Sequence, residues 1–264
     1  MLLKIILLYF FSPFAFPQRA LLDHILNLLF PITCVNCHVP VQERRWGGAC
    51  PKCWSSLIQL EPPFCPKCGD PAPAIENLCG SCLKDEHAFD FARSALLFTA
   101  TLREIIHHLK YSDRVSLAKP LGDFLKECLD REAFSGELII PVPLHRSRQR
   151  LRGFNQAELI AARLGRPLAG RLISRRKNTS SQTGLSRSER KRNLAGAFHV
   201  CGKVKGSVIV VDDVYTTGST MDEIARTLKR AGAERVEVLT VARVAKDIYA
   251  PDRAATTAGV STTQ

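Results

Sequence analysis

No G-x-x-x-x-G-K-[ST] loop occurs in the 264 residues, and no G-x-G-x-x-G turn opens a helix after a strand, which argues against a Walker-type NTPase and a Rossmann dehydrogenase. No apolar run reaches the ~20 residues of a spanning helix. The longest, Met1 to Phe16, has Lys4 as its sole charge and is interrupted by Pro13. A small-x-small cleavage signature is missing between Ala15 and Ala20. The segment therefore reads as a translation-start extension or peripheral, membrane-touching tail of a cytoplasmic protein, with an export signal as the alternative. Cysteine is scarce beyond residue 82, where only Cys128 and Cys201 occur; both read as small buried apolar residues. Acidic residues are scarce from Pro141 to Arg192, where Glu158 and Glu189 face fourteen Lys and Arg. That segment accounts for the whole net charge of +12, so it should meet an anion, either a small phosphorylated substrate or a nucleic acid backbone. With 45% hydrophobic and 23% charged residues, the chain is neither disordered nor fibrous and is long enough for one or two cores.

Eight cysteines form four C-x2-C pairs, Cys34/Cys37, Cys50/Cys53, Cys65/Cys68 and Cys79/Cys82. Two residues between thiolates let both sulfurs of a tight turn reach one ion, and two such turns close a tetrahedral shell, so the pattern predicts two structural zinc ions. Pairing in sequence order gives Cys34, Cys37, Cys50, Cys53 and then Cys65, Cys68, Cys79, Cys82; an interleaved cross-brace satisfies the same spacing. Reduced thiolates bound to metal also argue against export.

Between the knuckles, Pro62, Pro63, Pro66, Gly69, Pro71 and Pro73 crowd a segment too small to bury a core, which metal must hold together. Ahead of it, Ala20 to Phe30 has helical apolar spacing and stops at Pro31, as a docking helix would. From about Phe89 strands alternate with helices. Strands are expected at Ser94 to Thr99, Leu138 to Val142, Ser207 to Val211 and Val236 to Val241. Helices are expected at Leu102 to Leu109, at Leu117 to Leu129 with a break near Pro120, at Asn155 to Leu164, and at Ser219 to Ala231, closed by Gly232. The order implies βαβ units around a parallel sheet, an α/β fold. Pro251 to Gln264, rich in Ala and Thr, reads as disordered.

The string Val208 to Thr220, VIVVDDVYTTGST, runs a buried strand into two carboxylates, a hydroxyl-rich turn and a helix. In parallel sheets, ligands bind at the carboxyl ends of strands. Thr216, Thr217, Ser219 and Thr220 offer hydroxyls, Gly218 lets backbone N–H groups close around an oxyanion, and the helix N-terminus adds its positive dipole end. Asp212 and Asp213 would repel a second phosphate and suit neutral hydroxyls, so a ribose beside its 5′-phosphate fits both halves.

This string resembles the 5-phosphoribosyl-1-pyrophosphate (PRPP) motif of type I phosphoribosyltransferases. With the knuckles, Leu109 to Tyr111 (LKY), Pro141 to His145 (PVPLH), Arg152 to Gln156 (RGFNQ), Thr179 to Arg187 (TSSQTGLSR) and Asn193 to Phe198 (NLAGAF), the chain resembles the ComF family from about Ala20 to Arg243. That family is associated with competence and DNA uptake. The resemblance implies a type I phosphoribosyltransferase fold, a parallel twisted sheet flanked by helices, behind an N-terminal zinc module. The implied division is 1–19 apolar extension, 20–85 docking helix and double zinc module, 86–250 phosphoribosyltransferase-like domain and 251–264 tail.

The resemblance also implies roles. Asp212 and Asp213 would hold the ribose 2′ and 3′ hydroxyls as the catalytic pair, and Thr216, Thr217, Gly218, Ser219 and Thr220 the 5′-phosphate. Pro141 to His145 falls where the superfamily has its pyrophosphate loop, with Arg148, Arg152 and Lys110 as pyrophosphate contacts and Mg2+ arriving with PRPP. His107 and His108 read as ordinary amphipathic surface. Arg175 to Arg192, without apolar periodicity, would be a hood that closes over PRPP. No residue presents itself as a general base, so the acceptor is left open. The competing expectation is a PRPP or nucleotide sensor that binds single-stranded DNA through knuckles and basic segment, in company with DNA-uptake proteins.

Overall fold

The computed structural model describes residues 31–71, 77–178 and 192–245. The expected extension at 1–19, the docking helix at Ala20 to Phe30, most of the hood (179–191) and the tail (251–264) lie outside the described residues.

Four strands form a wholly parallel sheet: β1 (Phe91–Leu97), β2 (Leu138–Pro141), β5 (Ser207–Tyr215) and β6 (Arg235–Arg243) stand in the order β1-β6-β5-β2. The central β5 and β6 carry the runs VIVV and VEVLTV, buried on both faces as central parallel strands are, while the edge strand β1 is more mixed, with Arg93 half-buried. Alternation sorts their side chains into two cores. Ile209, Val211, Leu239 and Val241 pack with helices α3 (Ala100–Tyr111), α4 (Ala118–Arg131) and α6 (Gln156–Ala161). Val208, Val210, Val236 and Val238 pack with α7 (Ser219–Arg230) on the other face.

The cysteine-rich segment contributes two short helices, α1 (Pro51–Ser55) and α2 (Gly80–Lys84). Its first half joins the first core through Val35, Val41, Trp54 and Leu57, and its second half joins the other through Cys65, Cys68 and Cys82. Between them, residues 58–60 lie antiparallel against β1: Leu97 N–H donates to Ile58 O at 2.8 Å and Leu60 N–H to Ala95 O at 2.9 Å. The segment thus covers an otherwise free sheet edge.

Several details differ from expectation. Pro120 does not break its helix; it sits in the first turn of α4, where its missing N–H has no intrahelical partner to lose. β5 runs on through Tyr215, because pairing with β6 continues to Tyr215↔Arg243, so both aspartates belong to the strand and not to a loop after it. The basic stretch after β2 folds into α5 (Arg146–Arg152), a helix with no buried residue. The segment expected to form a hood is flanked by an antiparallel pair, β3 (Ile173–Arg175) with β4 (Phe198–Val200). Cys128 is buried as expected, but Cys201 is exposed, because it follows the last residue of β4 as the chain leaves the hairpin. Among the described residues no helix is long and apolar enough to cross a membrane.

Candidate functional site: an acidic pair, a hydroxyl turn and two thiolate clusters

β5 carries Asp212 and Asp213 to the carboxyl end of the sheet, and the turn Thr216 to Gly218 leads straight into α7, whose first residues are Ser219 and Thr220. Gly218, at φ 76°, caps the helix, and a Cβ there would come within 2.7 Å of the Tyr215 ring carbon Cζ, so only glycine fits. Thr217 Oγ1 lies 2.9 Å from Ser219 Oγ and accepts weakly from Ser219 N–H at 3.4 Å, gathering two hydroxyls at a helix N-terminus. The acidic residue of that first turn, Asp222, looks elsewhere: it accepts from Ala88 N–H at 2.6 Å and pairs with Arg226. The turn therefore offers an anion hydroxyls and the positive end of α7.

Asp213 is buried and doubly held. Gln156 Nε2 donates to its Oδ1 at 3.0 Å, and the Lys110 ammonium forms an ion pair with its Oδ2. Burial alone would raise its pKa, but Lys110, helped by hydrogen bonds from Asp212 and Gln156, outweighs burial and holds Asp213 below the usual carboxylate range. The same attraction outweighs the burial of Lys110 and raises the lysine's pKa. Asp212 goes the other way, pushed well above the carboxylate range by desolvation and by the charge of Asp213 beside it. Two adjacent carboxyls are thereby made unequal.

Lys110, at the end of α3, is thus brought to the acidic pair. Arg152 joins the same network by donating to Gln156 Oε1 and lying 5.0 Å over the Tyr111 ring. Gln156 was not singled out in the sequence beyond its place in the RGFNQ string; it is aimed at Asp213 because Asn155 caps α6 and donates from Nδ2 to Val142 O at 3.0 Å. Arg148 is half-buried on α5 and close to Arg175, whose guanidinium is pulled below its usual pKa by burial and by Arg148, while Asp212 opposes the shift. Beside this network opens a cleft of about 690 Å³, lined by Pro143, His145, Arg146, Gln149, Arg171, Arg175 and Arg176 among others. Part of the basic segment thus gathers here, with Arg175 within the field of Asp212, whereas Arg163 turns to Asp123 and Arg166 to the Gly136 carbonyl.

The thiolates assemble in sequence order: Cys34, Cys37, Cys50, Cys53 in one cluster and Cys65, Cys68, Cys79, Cys82 in the other, each with its sulfurs within 4.8 Å of one another. Sγ–Sγ separations of 3.7 Å (Cys34–Cys53), 3.5 Å (Cys37–Cys50) and 3.6 Å (Cys68–Cys79) fit the edge of about 3.8 Å that a tetrahedron with Zn–S near 2.3 Å requires. Backbone amides support the sulfurs equivalently, Cys50 N–H to Cys34 Sγ at 3.3 Å and Cys79 N–H to Cys65 Sγ at 3.4 Å. Cys34 is lowered to about 6 because its backbone N–H partners outweigh burial, and Cys79 to about 6 chiefly through the Ser81 hydroxyl and Cys82 N–H. Their neighbours go the other way without a metal: burial pushes Cys53 up to about 12 and Cys68 to about 11. The donor set is zinc's, with all four positions filled by protein and none left for catalysis.

Comparison with known proteins agrees with this division. Residues 25–83 match the family model of a double zinc ribbon domain, and residues 151–259 that of a phosphoribosyl transferase domain. The chain is 36% identical over 226 residues to the DNA utilization protein YhgH of Escherichia coli O6:H1, covering 82% of this chain and 99% of that protein. It is 31% identical over 227 residues to competence protein F of Haemophilus influenzae, covering 81% and 98%. Against competence protein ComFC of Bacillus subtilis it is 28% identical over 203 residues, covering 74% and 83%. The fold is accordingly a phosphoribosyltransferase α/β sheet behind a double zinc ribbon with two four-cysteine sites.

Proposed function

We propose, for a chain that belongs to the family of the DNA utilization protein YhgH and competence protein F, that it binds PRPP at the end of β5 and transfers the phosphoribosyl group to an acceptor in the service of DNA uptake or utilisation. The observation that carries this reading is the unequal acidic pair beside the hydroxyl turn. Asp213, kept ionised by Lys110, accepts from one ribose hydroxyl, and Asp212 shares the other. Thr216 to Thr220 receive the 5′-phosphate. Arg148 and Arg152, with the cleft arginines, face the pyrophosphate and its Mg2+, which together form the substrate's leaving group.

In the reaction the C1–O bond to pyrophosphate breaks with its electron pair leaving on oxygen, and an acceptor nucleophile adds to C1. The chain's residues supply positioning and charge compensation rather than covalent chemistry. Lys110 serves by keeping Asp213 an anion and a fixed acceptor. The zinc ribbon, residues 20–85 in this reading, braces the transferase domain, residues 86–250; bound zinc there crosslinks thiolates and does no chemistry on substrate.

Calorimetry with Mg2+ and PRPP tests the site. Asp213→Asn keeps the shape but removes a charge-assisted hydrogen bond worth about 1.5 to 3 kcal/mol, so affinity should fall roughly ten- to hundredfold, whereas Asp212→Asn, which replaces the carboxyl with the raised pKa, should cost less. Pyrophosphate release against a panel of acceptors, with and without single-stranded DNA, then separates transfer from binding. Wild-type protein indifferent to millimolar PRPP with Mg2+ would sink the assignment. The second reading, a PRPP-responsive protein that binds single-stranded DNA, is favoured by the net charge of +12 and by the similarity to a DNA utilization protein and a competence protein.

A further inference from the structure

Arg243, the last residue of β6, is 1% exposed, an unusual place for a guanidinium. Every direction it faces is accounted for. Nε donates to Asp70 Oδ1 at 2.9 Å, Nη1 to Cys68 O at 2.5 Å and Nη2 to Cys68 Sγ at 3.3 Å, while Cζ lies 4.4 Å from the centre of the Tyr215 ring. Cys68 is a thiolate of the second zinc cluster. Tyr215 is the strand partner of Arg243, 3% exposed, and its ring fills the space directly beneath Gly218 in the phosphate turn.

We propose that Arg243 is a positioning residue that couples the second zinc site to the phosphate-binding turn: its planar guanidinium clamps Cys68 and Asp70 on one side and fixes the Tyr215 ring under Gly218 on the other. A structural brace alone does not need this arrangement, because the ribbon is already anchored to the sheet by Ala92 N–H to Lys67 O at 2.8 Å and by close packing of Gly69 on the Ala92 carbonyl. Arg243 instead touches the one tyrosine on which the turn rests. Donation to a zinc-bound thiolate orients the ligand, as outer partners of metal sites do. Charge on that sulfur, in turn, draws the guanidinium and with it the ring. Coupling through this shared side chain acts in both directions. Filling the turn should alter the second zinc site, and altering the metal should move the turn.

The inference rests on the reading of the turn as a phosphate site, and the test separates the two. The full chain is prepared with 3-fluorotyrosine at position 215, loaded either with zinc or with cadmium, a larger ion that the same thiolates hold without unfolding the ribbon. The fluorine resonance should differ between the two metal forms, and the difference should collapse in Arg243→Lys, which keeps the charge but loses the plane. PRPP affinity, measured by calorimetry on the zinc-loaded chain, should fall about tenfold in Arg243→Lys with both zinc ions retained. Asp70→Asn, which takes the charge from one arm of the clamp without touching a thiolate or the turn, should give a smaller change of the same sign and serves if Arg243→Lys does not fold. A fluorine resonance indifferent to the metal, or a metal response undiminished in the variants, overturns the coupling whether or not PRPP binds. A resonance that responds as expected in a protein that ignores PRPP upholds the coupling and discards the ligand.

Discussion

At the scale of single residues, the contact between Lys110 and Asp213 is the one whose loss is easiest to read. Asp213 is 3% exposed and cannot shed its charge into water, so Lys110→Met leaves a buried carboxylate without its cation, a change that typically costs about 3 to 5 kcal/mol. Lys110→Met with Asp213→Asn removes both charges and should recover much of that loss, a signature of coupling rather than of lost packing. The pH dependence follows from the direction of the shift. Asp213 is depressed in the folded state, so its contribution is present above the unfolded carboxylate pKa and disappears as pH falls through the lower, folded value. Denaturant titrations should therefore show the gap between wild type and Lys110→Met wide at pH 7 and narrowing in acid. A gap independent of pH would mean that the lysine matters by its methylenes alone. Asp212, raised in the folded state, carries the opposite sign and disfavours folding as pH rises through its folded value. Little of this inequality was legible beforehand: two adjacent aspartates look alike in a string, and the lysine and glutamine that distinguish them arrive from α3 and α6.

Among the elements, those built on buried apolar runs were readable, and those built on charge were not. VIVV and VEVLTV announce central parallel strands because both faces are covered, and α3, α4 and α7 show one apolar stripe each. RSRQRLR has no such stripe, and α5 buries nothing; it is a helix because Ser147 N–H is met by His145 Nδ1 at 3.3 Å and Gly153, at φ 78°, ends it. β3 and β4 are three residues each, too short for alternation to register. The seating of α6 is a further element-scale feature with a consequence for the site. Gly122 of α4 passes so close to α6 that a Cβ would lie 2.8 Å from Ile160 O and 2.7 Å from Arg163 Cβ. Backbone cannot yield as a side-chain tip does. Gly122→Ala gains about 1 kcal/mol of helix propensity but incurs about 1 to 3 kcal/mol of overpacking, so the net effect should be mildly destabilising, a few degrees at most in Tm. Its larger effect should be on ligand, because displacing α6 moves Gln156 from Asp213. Calorimetry should find PRPP affinity reduced while Tm barely falls; unaltered affinity would show that α6 is not what seats Gln156.

Across the whole molecule, the two halves of the zinc ribbon enter the cores on opposite faces of one sheet, so the metal sites and the transferase sheet should melt together. Atomic absorption should find two zinc ions per chain, and a chelator should lower one cooperative calorimetric transition instead of splitting off an early one. An early transition with the sheet intact would mark the ribbon as an independent unit. The net charge of +12 poses the remaining question at this scale, since the part of it that lines the cleft suits the proposed pyrophosphate and the whole exceeds what one pyrophosphate needs. Arg175 is a poor probe of the surplus, being half-buried against the Phe198 ring and within the field of Asp212. Arg146, Arg150 and Arg171 are exposed on the same side and do not touch the acidic pair. If single-stranded DNA lies across them, log affinity should fall linearly with log salt at about 0.7 per contacted phosphate. Reversing all three to Glu should then weaken binding and flatten the slope by about 2, with little dependence on base composition and with both zinc ions retained. A slope unchanged by the triple reversal would assign the basic surface to the small substrate alone and remove the electrostatic support for DNA binding.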